Sequence, residues 1–282
     1  LKEALMFKRI LVPLDGSSLA EQALDPALRL AQRNKGIVYL LRVPVYADSG
    51  IPELSEYDLQ WSQPDFAQAH ERAADYLRDI KQSKARPDIS LRTVVGEGGR
   101  ADAIVNTAVA NNIDLILMTT HARTGLTRML LGSVAAEVLR HAPCPLLILR
   151  KPASITHILL ALDGSALAEQ GIQPALALAQ ALGSKVTLLR VCESENAGGN
   201  EADAYLSRAV PQNPWPGIEV SRAIATGPAA PAILNYAKEH DVDVIAMTTH
   251  GRSGLRRLIY GSITESVAAD PGCCAMLIVK PA

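Results

Sequence analysis

The chain has 282 residues, 48% of them hydrophobic and only 4% aromatic, which is enough aliphatic content for two cores of ordinary domain size. Twenty-eight Lys plus Arg stand against 29 Asp plus Glu, a net charge of -1, so no overall field recruits nucleic acid or an anionic membrane. Apolar runs such as LLIL at 146–149 fall far short of the ~20 residues that span a bilayer, and no signal-peptide pattern opens the sequence, so a cytoplasmic protein without a membrane partner is expected.

In chain order, apolar runs of strand length alternate with helical stretches. Strands are predicted near 9–14, 37–43, 89–95, 114–119 and 146–150, and helices near 19–34, 66–83, 101–111 and 132–141. In the first helix Leu24, Ala27, Leu28 and Ala31 fall at helical spacing, and Gly36 follows as a stop signal. A short Pro-containing seam, RKPAS at 150–154, leads into a second series. Its strands are predicted near 156–162, 185–191, 218–225, 243–248 and 275–279, with helices near 166–182, 201–210, 229–239 and 262–269. Five strands and four helices per series predict an α/β fold: two open, doubly wound, five-stranded parallel sheets with helices on both faces. The domains are placed at 1–150 and 155–282, with a linker at about 151–154. Such sheets bind ligands beyond the carboxyl ends of their strands, where strand order reverses.

The two series are copies of one unit. KRILVPLDGSSLAEQALDPALRLAQ at 8–32 recurs as THILLALDGSALAEQGIQPALALAQ at 156–180, and LILMTTHARTGLTRMLLGS at 115–133 recurs as VIAMTTHGRSGLRRLIYGS at 244–262. The first copy is longer, chiefly by seventeen residues between Val43 and Gly96 relative to Val191 and Gly227. Two more lie in GEGGRADAI at 96–104 against GPAAPAI at 227–233. The inserted region, 46–68, sets Tyr46, Tyr57, Trp61 and Phe66 among acidic residues, which suits a folded flap serving as a lid or a partner surface. Cys144, Cys192, Cys273 and Cys274 show neither metal-ligand spacing nor a disulfide framework, so reduced thiols are expected.

Strand one ends in VPLDGSS (12–18) and LALDGSA (160–166), which puts Asp15 and Asp163 at the carboxyl edge. One reading is a turn feeding a helix, with Ser17 or Ser165 as N-cap; the other is a carboxylate beside a ribose or a metal. The fourth strand runs into a small-residue loop and then Gly132-Ser133 or Gly261-Ser262 at a helix start. Backbone N–H groups there, with a serine hydroxyl nearby, suit phosphate, and Arg123, Arg128, Arg252, Arg256 and Arg257 would add positive charge. A plain helix cap with a solvated arginine face is the competing reading.

LVPLDGS, the MTTHGRSGL-type loop, Gly-Ser ahead of SVAAEVLRHAPCPLLIL and the five-stranded order together resemble the universal stress protein family, over nearly the whole chain. Nucleotide-binding members carry Gly, two residues, Gly, nine residues, then Gly followed by Ser or Thr. The second copy reads Thr248, Thr249, His250, Gly251, nine residues, Gly261, Ser262, and departs at the first position. The first reads Thr119, Thr120, His121, Ala122, nine residues, Gly132, Ser133, and departs twice. Each lost glycine adds a Cβ where backbone would approach phosphate or take positive φ. The resemblance implies a site in the second copy formed by Ala161, Asp163, Gly164, Ser165, Val191, Met247, Thr248, His250, Gly251, Arg252, Gly261, Ser262 and Ile263. Its weaker counterpart in the first copy comprises Pro13, Asp15, Gly16, Ser17, Val43, Met118, Thr119, His121, Ala122, Arg123, Gly132, Ser133 and Val134. Val43 and Val191 would offer backbone groups to adenine, with Met118 and Met247 lining the pocket; on sequence alone these are ordinary buried strand residues. The ligand implied is ATP or AMP, with Mg2+ as an optional companion and no metal held by the protein alone.

A dedicated enzyme would need a catalytic group, and the sequence holds no GxxxxGKS or GxxxxGKT phosphate loop, no GxSxG, no HExxH and no SGGxDS-type loop. At most slow ATP hydrolysis is expected. The alternative is a nucleotide-free universal stress protein acting as a protein-interaction module, to which the Thr119, Ala122 and Thr248 departures point. Partners expected are adenine nucleotide and an unidentified protein. LLIL at 146–149 and MLIV at 276–279 would otherwise be bare apolar edge strands, so the halves are expected to pair them as an intrachain pseudo-twofold dimer, with a further homodimer also open.

Overall fold

Aliphatic strands buried on both faces need helices above and below them, and each half of the chain supplies them in turn. The computed structural model describes residues 6–44, 66–120, 132–150, 154–192, 199–209, 217–249, 261–270 and 274–280. The first half contains β1 (Arg9–Leu14), α1 (Ser18–Glu21), α2 (Leu24–Asn34), β2 (Ile37–Arg42), α3 (Phe66–Ser83), β3 (Ser90–Val95), α4 (Arg100–Ala110), β4 (Leu115–Thr119), α5 (Ser133–His141) and β5 (Leu146–Leu149). The second repeats the order with β6 (His157–Leu162), α6 (Ala166–Glu169), α7 (Ile172–Leu182), β7 (Lys185–Cys192), α8 (Gly199–Ala209), β8 (Val220–Thr226), α9 (Ala229–Glu239), β9 (Val244–Thr248), α10 (Ser262–Ala268) and β10 (Ala275–Val279). The flap reading for the insertion falls mostly on 45–65, outside the described residues, and α3 begins directly after it.

Strand order is β3-β2-β1-β4-β5-β10-β9-β6-β7-β8 in one ten-stranded sheet. Within each half all neighbours are parallel, and order reverses between β1 and β4 and between β6 and β9. The halves join through an antiparallel pairing of β5 with β10, Leu147 opposite Leu277, flanked by Ile148–Met276 and Leu146–Ile278. All six side chains are buried, each contributing roughly 1.5–3 kcal/mol by its removal from water. The apolar edges that each half would expose alone are thus closed on one another about a pseudo-twofold axis. One apolar layer runs under α2, α3, α7 and α8, and the other under α4, α5, α9 and α10; both continue through the seam. Helices α2 and α7 pack against each other across it.

The single helices expected over 19–34 and 166–182 are each broken in two. Pro26 and Pro174 lie in the first turns of α2 and α7, where a missing N–H costs nothing; continued from α1 or α6, their rings would meet the carbonyls of Gln22 and Gln170. The chain instead tightens, with Gln22 N–H and Ala23 N–H donating to Leu19 and Ala20 carbonyls at 3.1 Å each, and restarts.

Candidate functional site

The strand-one loops are alike in the two halves. Ser17 and Ser165 are the N-caps of α1 and α6, each hydroxyl accepting from the backbone three residues on, Ala20 or Ala168, at 3.1 Å. Asp15 Oδ1 accepts from Ser17 N–H at 2.9 Å and from its hydroxyl at 2.6 Å, and Asp163 does the same for Ser165. Between them Gly16 and Gly164 take φ of 86° and 81°, the left-handed region where a Cβ is strained, so glycine is required by the backbone itself. The turn-and-cap reading therefore holds, with Asp15 and Asp163 at the carboxyl edge just past β1 and β6.

At the second loop the N-cap is Gly132, not Ser133, which is the first residue of α5. A glycine cap has no side-chain oxygen, and no capping hydrogen bond is made from it. Gly132 N–H is 3.4 Å from Thr120 Oγ1. Gly132 has φ of -51°, and among the described residues a Cβ built on it would meet only Thr120 Oγ1, at 3.4 Å, so neither the backbone nor the described packing demands glycine there. In the second half Gly261 caps α10, and its N–H donates to the Thr249 carbonyl. Thr264 adds a hydroxyl bond to the Thr248 carbonyl at 3.0 Å, which fixes α10 against the end of β9. His121, Ala122, Arg123, His250, Gly251 and Arg252 lie outside the described residues.

The apolar members sit on one face. Val43, Met118 and Val134, with Ala161, Val191 and Met247, line the layer under α4, α5, α9 and α10; Met118 and Met247 are buried and the others half-buried. Pro13 is half-buried at the equivalent of Ala161, Thr119 is half-buried where Thr248 is buried, and Ile263 is exposed where Val134 is half-buried. The halves differ beside the adenine candidates. Strand β2 stops at Arg42, and a Cβ on Gly96 would come within 3.2 Å of the Val43 side chain. Strand β7 runs on to Cys192, so Val191 is still paired, with Ala225 of β8. Among the described residues no group of three or more His, Cys, Asp or Glu could hold a metal ion. Nor is any helix there long and apolar enough to cross a membrane.

Residues 6–150 and again 154–280 match the profile of the universal stress protein family. The chain belongs to that family, twice over. A universal stress protein of Methanocaldococcus jannaschii is 32% identical over 148 residues, 52% of this chain and 84% of the relative. One from Bacillus subtilis is 28% identical over 148 residues, 51% of this chain and all of its own length. Among solved structures, a universal stress protein from Archaeoglobus fulgidus superposes with a TM-score of 0.76 at 22% identity, covering 97% of this chain and 98% of that one, which establishes a shared two-unit fold. A protein described as a universal stress protein from Pseudomonas aeruginosa gives 0.70 at 19% identity, covering 98% and 94%. In this tandem universal stress protein the sequence motifs assign no site role to Thr120 and Thr249, which contact the capping glycines, or to Arg42 and Arg190, which stand at equivalent strand positions. Their recurrence in the repeat was the available signal.

Proposed function

We propose that this universal stress protein is a regulatory binder of adenine nucleotide, ATP or AMP, at the carboxyl edge of each half, with the second half the tighter site. The observation that carries the reading is Gly132. Among the described residues there is room for a side chain there, whereas a phosphate drawn to the first-turn N–H groups of α5 would need that room kept empty. Asp15 and Asp163 stand at the switch points for a ribose, and Val43 and Val191 for adenine. Mg2+ would arrive with the phosphates, since it is commonly held by one or two carboxylates plus substrate oxygens. The sequence carries none of the catalytic motifs that a dedicated reaction would need, so turnover would be at most slow hydrolysis.

The preference for the second half rests on Gly251 against Ala122. An alanine held at positive φ costs about 1 kcal/mol or more, roughly a fivefold loss in affinity. One observation favours the nucleotide-free interaction module instead: Asp15 and Asp163 each commit Oδ1 to a cap serine.

The deciding experiment denatures the purified chain, identifies any released ligand by mass spectrometry, and titrates the emptied protein with ATP. Gly251→Ala and Asp163→Ala should remove most of the tight binding, and Asp15→Ala only the weaker part. If Asp15→Ala alone abolishes binding, the order of the halves is reversed. If the wild type binds nothing, the interaction module replaces the nucleotide reading.

A further inference from the structure

One polar cluster outside the family motif is built twice at the carboxyl edge. Arg42 closes β2 beside Leu14, the last residue of β1, and Arg190 stands beside Leu162 in the same register. Arg42 Nη1 donates to the Leu14 carbonyl at 3.4 Å and Arg190 Nη1 to the Leu162 carbonyl at 3.3 Å, long bonds that the guanidinium charge strengthens. Each guanidinium also lies over a tyrosine of the next helix, Tyr76 at 5.7 Å and Tyr205 at 5.9 Å, within cation–π range.

Those tyrosines reach the far side of the loop. Tyr76 hydroxyl donates to Glu21 Oε1 at 2.9 Å, and Glu21 ends the short helix that Ser17 caps. Tyr205 stands beside Glu169 at the end of α6, but its buried hydroxyl makes no hydrogen bond among the described residues. Burial first, then the neighbouring glutamate, pushes the Tyr205 hydroxyl up to about 12 and raises Tyr76 further, so both stay protonated, Tyr76 as the donor to Glu21. In the first half the Arg42 guanidinium lies close over the loop: a Cβ added on Gly16 would be 3.3 Å from Arg42 Nη2.

We infer that Arg42 and Arg190 are positioning residues for the Asp15 and Asp163 loops. Each arginine anchors the carbonyl that precedes its aspartate, and in the first half Arg42, through Tyr76, also braces the short helix that follows. What the loops position rests on the nucleotide reading; the brace does not. The arginine also brings a positive charge to a corner that holds two carboxylates, Asp15 and Glu21 or Asp163 and Glu169, and this eases the approach of a phosphate.

The test follows backbone exchange and ligand affinity together in the full chain. Ser17 N–H donates to Asp15 and Ser165 N–H to Asp163, so their exchange rates report each loop separately. Arg42→Met should speed exchange at Ser17 about tenfold while Ser165 stays at the wild-type rate, and Arg190→Met should do the reverse. Arg42→Lys and Arg190→Lys, which keep the charge and one donor, should fall between. Tyr76→Phe, a milder change, should speed Ser17 alone should Arg42→Met fold poorly. Titration with ATP, the other half disabled by Asp163→Ala or Asp15→Ala, should lose affinity several-fold at the half carrying the arginine substitution. Unchanged exchange at Ser17 and Ser165 in variants with wild-type unfolding midpoints overturns the inference, whatever ATP does. Faster exchange in a chain that takes up no ATP upholds the brace and removes the nucleotide reading instead.

Discussion

His157 is a histidine with almost no contact with water, 4% exposed at the start of β6. Its Nδ1 faces the His240 carbonyl at 3.0 Å, so that nitrogen carries the proton and Nε2 accepts from the Thr187 hydroxyl at 2.9 Å. Thr187 in turn meets Ser221 at 2.8 Å, which makes a polar ladder across β6, β7 and β8. Burial holds the ring below its ordinary 6.5, opposed by its bond to the His240 carbonyl and by the Asp243 charge, while the Lys185 charge and the His240 ring push the same way as burial. A folded pKa below the unfolded one means that the unfolded chain takes up the proton first. The stability contributed by the neutral ring is therefore full above about pH 6.5 and is lost as pH falls from there toward the folded value. His157→Gln should cost about 1–3 kcal/mol at pH 7.5 by breaking the ladder, and the gap to wild type should narrow toward pH 5. Urea midpoints across that range check it, and a gap independent of pH would mean that the ring does not stay neutral in the fold. At this scale the sequence was partly legible. Asp-Gly-Ser announced its own cap, because a short polar side chain acts within three residues. His157 gave no such sign, since its partners come from strands far along the chain.

Helix α2 ends on Lys35 and α7 on Gly183, and both residues are left-handed, with φ of 50° and 72°. Glycine is the favoured residue at such a helix end, yet the first copy places its glycine one position later. Gly36 was legible as a stop signal, but its role differs from the one expected. A Cβ there would come within 2.6 Å of the Lys8 carbonyl, so the glycine answers a close approach of backbone, while lysine takes the strained conformation. Lys35→Gly should therefore stabilise the first half by about 1 kcal/mol, and Gly183→Ala should destabilise the second by a similar amount although open space surrounds it. Thermal unfolding of both variants decides this; a loss on Lys35→Gly would show that the lysine side chain supplies more than its backbone strain removes. The breaks after α1 and α6 have a related lesson. Apolar spacing runs smoothly through Gln22 and Gln170, and the prolines that interrupt the helices lie four residues further on, so periodicity placed the helices and missed their division. Strands β1, β2, β4 and β5 were legible within a residue or so because unbroken aliphatic runs in a two-sided sheet have few other places to go.

The two copies do more than share a sheet, because each caps the other's last helix. Lys280, after β10, donates through Nζ to the Arg140 and Ala142 carbonyls at the end of α5, both at 3.0 Å. Arg150, after β5, donates to the Asp270 carbonyl at 2.6 Å and to that of Ala268 at the end of α10. The antiparallel register at the seam requires this exchange: a residue leaving one last strand emerges beside the segment that enters the other. Carbonyls at a helix end lack intrahelical partners and carry the negative end of its dipole, so a cation there satisfies both. The arrangement could not be read from either copy alone, since in sequence Lys280 and Arg150 merely follow apolar strands. Losing one cap should cost roughly 1 kcal/mol, and the cost should appear in the half that does not carry the substitution. Ala142 N–H, bonded to the Val138 carbonyl at 2.7 Å, and Ala269 N–H, bonded to that of Glu265 at 2.9 Å, report the two helix ends. Lys280→Met should speed exchange at Ala142 and leave Ala269 at its wild-type rate; Arg150→Met should do the opposite. If each substitution loosened its own half instead, the cations would be serving the strands that bear them. If the reciprocal pattern is found, α5 and α10, which begin at the two candidate phosphate loops, are each held at their far end by the other copy, and the tandem chain is one cooperative unit built from two repeats.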